Sequence, residues 1–266
     1  SPDAIASGLD FYPTILNWTG TPKPQGQQLD GLDLTPFLKA DKRTRNLIRH
    51  SNGKPRDTMV WHFPNSVAMQ STLRRGNYKL IRNLVEDMIP NRDSLNLYQL
   101  YDEAGNRVDI EEANDLSKSK PALTRDLNEL LQSHLDEMQA SPPFLYPRSP
   151  AALPKKNKVC VPLDHGRKGQ EVWATYKESG ANVVSANLIY TNNGGKRYEE
   201  WYRLPASITS DGKVTATLPA DATHYVFNLI DENHFLVSYP KMKFLKDRSE
   251  AFSARAFPIK NSKPAK

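Results

Sequence analysis

The fold is decided by residues 58–101, TMVWHFPNSVAMQSTLRRGNYKLIRNLVEDMIPNRDSLNLYQLY. Four runs in this stretch alternate between apolar and polar side chains, which is the period of a β-strand, and Pro-Asn or Gly-Asn pairs separate them. We therefore predict four strands, at 58–63, 68–75, 78–84 and 95–101. Short turns between consecutive strands favour an antiparallel sheet.

A helix is predicted directly after this sheet, in PALTRDLNELLQSHLDEMQA, residues 121–140. Its apolar side chains recur every three or four residues, which places them on one helix face. They are Leu123, Leu127, Leu130, Leu131, Leu135 and Met138. Ser119 and Pro121 are helix start signals. The predicted fold class is therefore α+β, a small four-stranded antiparallel sheet with one face covered by a long helix.

The segments on either side of this layer have different patterns. Residues 9–20, LDFYPTILNWTG, predict a helix from about Tyr12 that ends at Gly20. Residues 29–38, LDGLDLTPFL, predict a turn and a short helix. Residues 141–156 are rich in proline and cannot continue a helix, so we expect a linker there.

Beyond the linker the pattern is all-β. Seven short strands are predicted, at 158–163, 171–177, 183–191, 198–204, 213–218, 223–230 and 234–239. Their number and spacing favour an immunoglobulin-like β-sandwich. We expect its core aromatic residues to be Trp173, Tyr190 and Trp201. The predicted organisation is an N-terminal segment, an α+β domain, a linker, a sandwich and a basic tail, at 1–40, 41–147, 148–157, 158–245 and 246–266.

Composition excludes several classes of protein. The 266 residues are 38% hydrophobic and 25% charged, which is typical of a globular chain, and no apolar run is long enough for a membrane span. The net charge of +6 comes without a nucleic-acid-binding motif, so we expect no nucleic acid partner. Cys160 is the single cysteine, which excludes an intramolecular disulfide and a thiolate zinc cluster.

An ordered set of short motifs runs through residues 5–147. It comprises Asp10, Tyr12, Pro13 and Thr14; then Asp30, Gly31, Leu34, Pro36 and Leu38; then Trp61, His62 and Pro64; then Arg74, Gly76, Tyr78, Lys79 and Leu80; then Leu97, Tyr98 and Leu100. In this order the set resembles the C-terminal portion of type I sulfatases, the formylglycine-dependent members of the alkaline phosphatase superfamily. The last part of the chain looks like the immunoglobulin-like modules appended to some bacterial sulfatases.

The resemblance implies an enzyme that hydrolyses sulfate esters, with a sulfated carbohydrate as the expected substrate. The family's nucleophile is a formylglycine made from the cysteine of a Cys-x-Pro-Ser-Arg motif, and calcium neutralises the sulfate. Cys160 precedes Val161-Pro162-Leu163, which is not that motif. Formylglycine and calcium are thus expected in an N-terminal α/β domain that this chain does not contain, with residues 1–40 as its last helix and exit loop.

On this interpretation the chain holds no catalytic residue and no metal ligand, and is inactive alone. Its partners are the missing domain and the substrate, and the complete protein is periplasmic or secreted. The resemblance also implies that the small sheet contributes to the wall of the substrate pocket. The candidate substrate-binding residues are His62, Asn65, Arg74 and Arg75. The alternative for these four residues is an ordinary solvated hairpin surface.

Two other functions stay open at this stage. The chain could be a non-catalytic module in which the sandwich binds carbohydrate or a cell-surface partner. It could also belong to another hydrolase of the alkaline phosphatase superfamily, such as a phosphodiesterase. The upstream sequence distinguishes these alternatives, because the cysteine motif is either present there or absent.

Overall fold

A computed structural model describes residues 4–41, 48–65, 68–89, 91–149, 153–241 and 251–259. The chain divides into two compact units, Ser1–Ser141 and Pro142–Lys266. The division lies at the start of the proline-rich stretch, where the sequence predicts a linker. None of the described helices is long and apolar enough to cross a membrane.

The first unit opens with two short helical elements. A 3-10 helix, Gly8–Asp10, is capped by the Ser7 side chain and runs directly into helix α1, Phe11–Thr19. Gly20 ends α1 in the left-handed conformation, with φ of 65°, which glycine adopts without steric cost. This agrees with the predicted end of the helix. Helix α2, Thr35–Lys39, follows a loop.

The predicted sheet is confirmed. Strands β1 (Thr58–Phe63), β2 (Gln70–Arg75), β3 (Tyr78–Asn83) and β4 (Leu95–Gln99) pair in sequence order and are antiparallel. Gly76, with φ of 54°, makes the tight turn between β2 and β3. The four-residue helix α3, Leu84–Asp87, follows β3.

The predicted long helix is also confirmed, as α4, Pro121–Glu137. One face of the sheet and one face of α4 share a core of buried leucines, Leu73, Leu80, Leu97, Leu127, Leu131 and Leu135. The three strand leucines are cross-strand neighbours, with Leu80 between Leu73 and Leu97. Side chains alternate across a strand, so the neighbouring residues point to the face opposite α4. We call that second face the outer face.

The second unit is formed by two antiparallel sheets. The first has the order β5-β6-β10-β9, with β5 Val161–Lys168, β6 Glu171–Lys177, β9 Ser207–Thr209 and β10 Lys213–Thr217. The second has the order β12-β11-β7-β8, with β7 Val183–Thr191, β8 Tyr202–Pro205, β11 His224–Asp231 and β12 Leu236–Tyr239. A two-residue strand, β13 (Phe257–Pro258), also pairs with β11, beyond the end of β12.

Buried side chains from both sheets form one core. Its aromatic members are Tyr176, Tyr225 and Phe227, with Tyr190 packed against it at the margin. The prediction that Trp173 and Trp201 are core residues is wrong. Trp173 lies between the buried Val172 and Ala174 on β6 and therefore faces away from the core, against Gly166. Trp201 precedes β8 and packs edge-on against Phe252.

The boundary between the units differs from the predicted one. The sequence assigns residues 142–147 to the first domain, but Leu145 belongs to the second unit, where it is buried and pairs in parallel with Phe235. Its amide donates to the carbonyl of His234, and its own carbonyl accepts from Leu236. Of the basic tail predicted at 246–266, only residues 251–259 lie within the described part of the chain.

Candidate functional site

His62 lies on the face of β1 that also carries Val60, so it points toward the α4 side of the sheet. Its Nδ1 is 2.8 Å from the Ser71 hydroxyl, and its Nε2 is 2.8 Å from the backbone oxygen of Ser141. A carbonyl oxygen only accepts, so Nε2 carries the proton. Both ring nitrogens are thus engaged within the chain, an arrangement that favours a positioning role.

Arg74 lies on the outer face. The strand register makes Met59 and Lys79 its cross-strand neighbours, and its guanidinium lies 5.3 Å from the centre of the Tyr101 ring. A cation over an aromatic face is attracted by the ring quadrupole. Arg74 and His62 are therefore on opposite faces of the sheet.

Arg75 and Asn65 lie apart from both. Arg75 has the strand parity of Leu73, ends β2, and sits 3.7 Å from the Asp57 carboxylate, with both side chains more than half exposed. Asn65 is exposed in the turn after β1. The structure therefore does not bring the four predicted substrate-binding residues together at one point, and their substrate contacts stay predictions.

A shallow cavity of about 360 Å³ does lie on the outer face. Its wall includes Trp61, Thr72, Arg74, Lys79 and Glu112. Lys79 forms an ion pair with Glu112, which balances one positive charge and leaves an aromatic ring and a hydroxyl beside it. Residues 61, 72, 74 and 79 all point to the outer face once the strand register is known. The grouping could therefore be found from the sequence together with that register.

A ladder of polar side chains crosses the same face. The Gln70 amide donates to Asn83 at 2.8 Å, Asn83 donates to Asn96 at 2.8 Å, and Asn96 donates to Asp115 at 2.9 Å. Asp115 also accepts the backbone N–H of Leu97 at 3.0 Å. Each donor of this ladder points along the outer face to the next side chain. The ladder therefore holds polar side chains of β2, β3 and β4 in defined orientations on this face.

The motif residue Asp10 is fully buried. Its carboxylate forms a two-bond ion pair with the buried Arg56, at 2.7 and 2.8 Å, and accepts the backbone N–H groups of Ser7 and Leu32. Burial raises the pKa of Asp10, but the hydrogen bonds from Arg56, Leu32 and Ser7 outweigh it and hold the pKa below its usual value.

The neighbouring motif residues tie α1 to the loop before α2. Thr14, also buried, donates to the Asp10 carbonyl and accepts the Leu34 N–H at 2.9 Å. Gly31 lies so close to Leu9 that a Cβ built on it would stand 2.0 Å from the Leu9 carbonyl oxygen. Helix α1 is therefore attached to the rest of the first unit through its polar side.

The opposite side of α1 is apolar and exposed. Phe11, Tyr12, Ile15 and Trp18 follow helical spacing on one face, and Phe11 and Trp18 are 64% and 61% exposed. We call this face the α1 stripe. A helix normally buries its apolar face and exposes its polar one. In α1 this arrangement is reversed, so the α1 stripe is a candidate contact surface.

The described residues contain no group of three or more His, Cys, Asp or Glu side chains that could hold a metal ion. Cys160 is buried, and burial first, then the charge of Asp231, raises the pKa of its thiol to about 12. A thiol in that state is neutral at ordinary pH and is not an active nucleophile. Comparison with protein-family models and with curated proteins finds no match for this chain.

Proposed function

We propose that this chain is the C-terminal part of a type I sulfatase that hydrolyses sulfate esters of a carbohydrate. The complete protein would be periplasmic or secreted, and an N-terminal α/β domain would supply formylglycine and calcium. The proposal is supported by the ordered motif set, whose members lie in succession on a helix, a loop that leads into a short helix, a strand, a hairpin and a further strand, with the covering helix after them.

The α1 stripe carries the proposal. Asp10, Thr14 and Gly31 attach the polar side of α1 to its own unit, and the apolar side is left for a partner. Burying a large apolar side chain is worth about 1.5–3 kcal/mol, so four such residues together provide a strong docking contact. We propose that the N-terminal α/β domain covers the stripe, with α1 as the last helix of that domain.

In this arrangement the small sheet forms part of the substrate pocket wall. Of the four predicted residues, Arg74 lies beside the cavity on the outer face, where a sugar ring could stack on Trp61 and hydrogen-bond to Thr72. Asn65 and Arg75 are at the two ends of the strands. His62 is assigned the indirect role of fixing β1, since both of its ring nitrogens are already bonded.

We propose that the second unit is an immunoglobulin-like accessory module. Its strands, lettered A to G in chain order from β5 with β8 as the extra C′ strand, give the sheets A-B-E-D and G-F-C-C′. The first of these is the strand order of one immunoglobulin sheet, and the second is its partner sheet with C′ at the edge.

The test is to express the full-length protein and measure hydrolysis of sulfated carbohydrate. We expect a Cys-x-Pro-Ser-Arg motif upstream, activity that requires conversion of its cysteine to formylglycine, and loss of activity when that cysteine is replaced by alanine. The isolated chain should show no turnover, because it supplies neither nucleophile nor cation. Absence of the motif, or turnover by the isolated chain that a substitution within it abolishes, would overturn the proposal.

A further inference from the structure

The second unit has a cavity of about 660 Å³ at its open edge, between β5 of one sheet and β11 and β13 of the other. His165, Arg167, Tyr225 and Phe257 are the side chains that give it chemical character. The volume lies within the range of small-molecule sites and is far larger than a single inorganic anion needs.

The floor of the cavity is aromatic. The His165 ring stacks on Phe257, with centroids 3.6 Å apart and planes at 17°, and Tyr239 meets the same imidazole edge-on at 5.8 Å. These contacts fix the direction of the imidazole. A preorganised donor loses little conformational entropy when a ligand binds.

Tyr225 and Arg167 both keep hydrogen-bonding capacity that a ligand could use. Tyr225 is 3% exposed, yet within the described part of the chain its hydroxyl has a single hydrogen-bond partner, His165 Nδ1 at 3.5 Å, which is at the limit of a hydrogen bond. Arg167 donates through Nε to the Gly169 carbonyl at 2.6 Å. Its two terminal nitrogens make no hydrogen bond to any residue in the described part of the chain.

The charge of the cavity has one sign. Arg167 and His165 are two residues apart on β5 and share one side of the strand, and no aspartate or glutamate is among the described residues that line the cavity. A guanidinium, an imidazole and a phenol around one space match an oxyanion, since each offers a donor and the arginine adds a positive charge.

We propose that this cavity binds the anionic group of a sulfated carbohydrate, with Arg167, His165 and Tyr225 as the donors. The choice of sulfate rests on the proposed function, whereas the choice of an oxyanion rests on the cavity itself. The surplus volume accommodates the sugar ring that carries the sulfate. The second unit would thus hold the same polymer on which the catalytic domain acts.

The test is a calorimetric titration of the 266-residue chain at fixed ionic strength with three probes: a sulfated disaccharide, the same disaccharide without sulfate, and inorganic sulfate. We expect the sulfated disaccharide to bind at least about tenfold more tightly than the other two. Arg167→Ala should weaken its binding by about tenfold or more. Tyr225→Phe should weaken binding while leaving the melting temperature nearly unchanged.

Lys168→Ala is the matched control, because it removes the same charge one residue further along β5 but on the opposite side of the strand. Its affinity should stay within about twofold of wild type. Equal binding of the sulfated and desulfated sugars, equal effects of Arg167→Ala and Lys168→Ala, or inorganic sulfate binding as tightly as the sulfated disaccharide would each overturn the proposal. Activity of the full-length protein tests the proposed function separately, so either can fail alone.

Discussion

The Nε2 of His62 lies 2.8 Å from the backbone oxygen of Ser141, a residue 79 positions further along the chain. Through this contact the edge strand β1 is joined to the segment that leaves α4. Nδ1 meanwhile accepts from the hydroxyl of Ser71, which is fully buried on the neighbouring strand. One imidazole therefore connects three separate pieces of the first unit.

His62→Ala should lower the free energy of unfolding by about 1–3 kcal/mol, because two hydrogen bonds are lost and the Ser71 hydroxyl stays buried without its partner. Urea denaturation measures this. Ser71→Ala is the matched control, and the double variant should be less destabilised than the sum of the two single variants. Unchanged stability together with a fall in kcat/KM of the full-length protein would instead identify His62 as a substrate contact.

Asp10→Asn should cost about 3–5 kcal/mol of unfolding free energy, since it leaves the buried Arg56 guanidinium without its counter-charge. Thermal or chemical denaturation at pH 7 gives the value. The double variant Asp10→Asn, Arg56→Met removes the unpaired charge and should be more stable than Asp10→Asn alone. If the two variants were equally stable, the ion pair would not explain the effect.

The Asp10 carboxylate also makes the free energy of unfolding depend on pH. Burial raises the pKa of Asp10, but the hydrogen bonds from Arg56, Leu32 and Ser7 outweigh it and hold the pKa below its value in the unfolded chain. A lowered folded-state pKa contributes stability that is complete above about pH 5 and is lost as the pH falls through the folded-state pKa. The difference in stability between wild type and Asp10→Asn should therefore shrink below about pH 4. A difference independent of pH would contradict this assignment.

Gly31→Ala should destabilise the first unit by about 1–3 kcal/mol or more, because the added methyl group would meet the Leu9 carbonyl oxygen at 2.0 Å. Gly8→Ala is the control, since a Cβ there has nothing within 4 Å. Circular dichroism melts of the two variants make the comparison. Equal melting temperatures would show that the loop can move away from Leu9 at little cost.

Trp18→Gln tests the α1 stripe. In the isolated chain Trp18 is largely exposed, so the free energy of unfolding should change by no more than about 0.5 kcal/mol and binding of a hydrophobic dye should decrease. In the full-length protein the same change should cost about 2 kcal/mol or more. Tyr198→Gln, in an exposed aromatic residue of the second unit, should be neutral in both. Equal effects of Trp18→Gln in the two proteins would contradict docking at the stripe.

Cys160 should resist alkylation in the folded chain. Burial raises the pKa of its thiol to about 12, so the thiolate fraction at pH 8 is about one part in ten thousand. Mass spectrometry after iodoacetamide treatment should show unmodified protein under native conditions and full labelling in urea. Rapid stoichiometric labelling of native protein would contradict the burial of this side chain.

The first unit was predictable because its signals are local. The β1 prediction of 58–63 matches the strand observed, the leucines of α4 have regular helical spacing, and Gly76 stands where a left-handed turn is needed. The ion pair of Asp10 with Arg56 could not be predicted. It joins residues 46 positions apart, and nothing in either local sequence indicates the partner.

The errors in the second unit have physical causes. The first strand is predicted at 158–163, whereas β5 runs from Val161 to Lys168. Gly166 pairs with Trp173 in the β5–β6 ladder, and its lack of a side chain leaves room for the Trp173 indole. The prediction that Trp173 lies in the core is wrong because of strand alternation. Val172 and Ala174 are buried, so Trp173 between them points to the opposite face of β6.

Strand β13 has only two residues, and it reaches β11 from residues that lie after β12 in the sequence. Besides this pairing, the Glu199 carboxylate accepts the backbone N–H groups of Gly195 and Ser253, and the Ile259 N–H donates to the Thr223 carbonyl. Phe257 belongs to β13 and also forms the floor beneath His165. We therefore expect a molecule that contacts Phe257 to slow amide hydrogen exchange in residues 252–259 before it changes global unfolding.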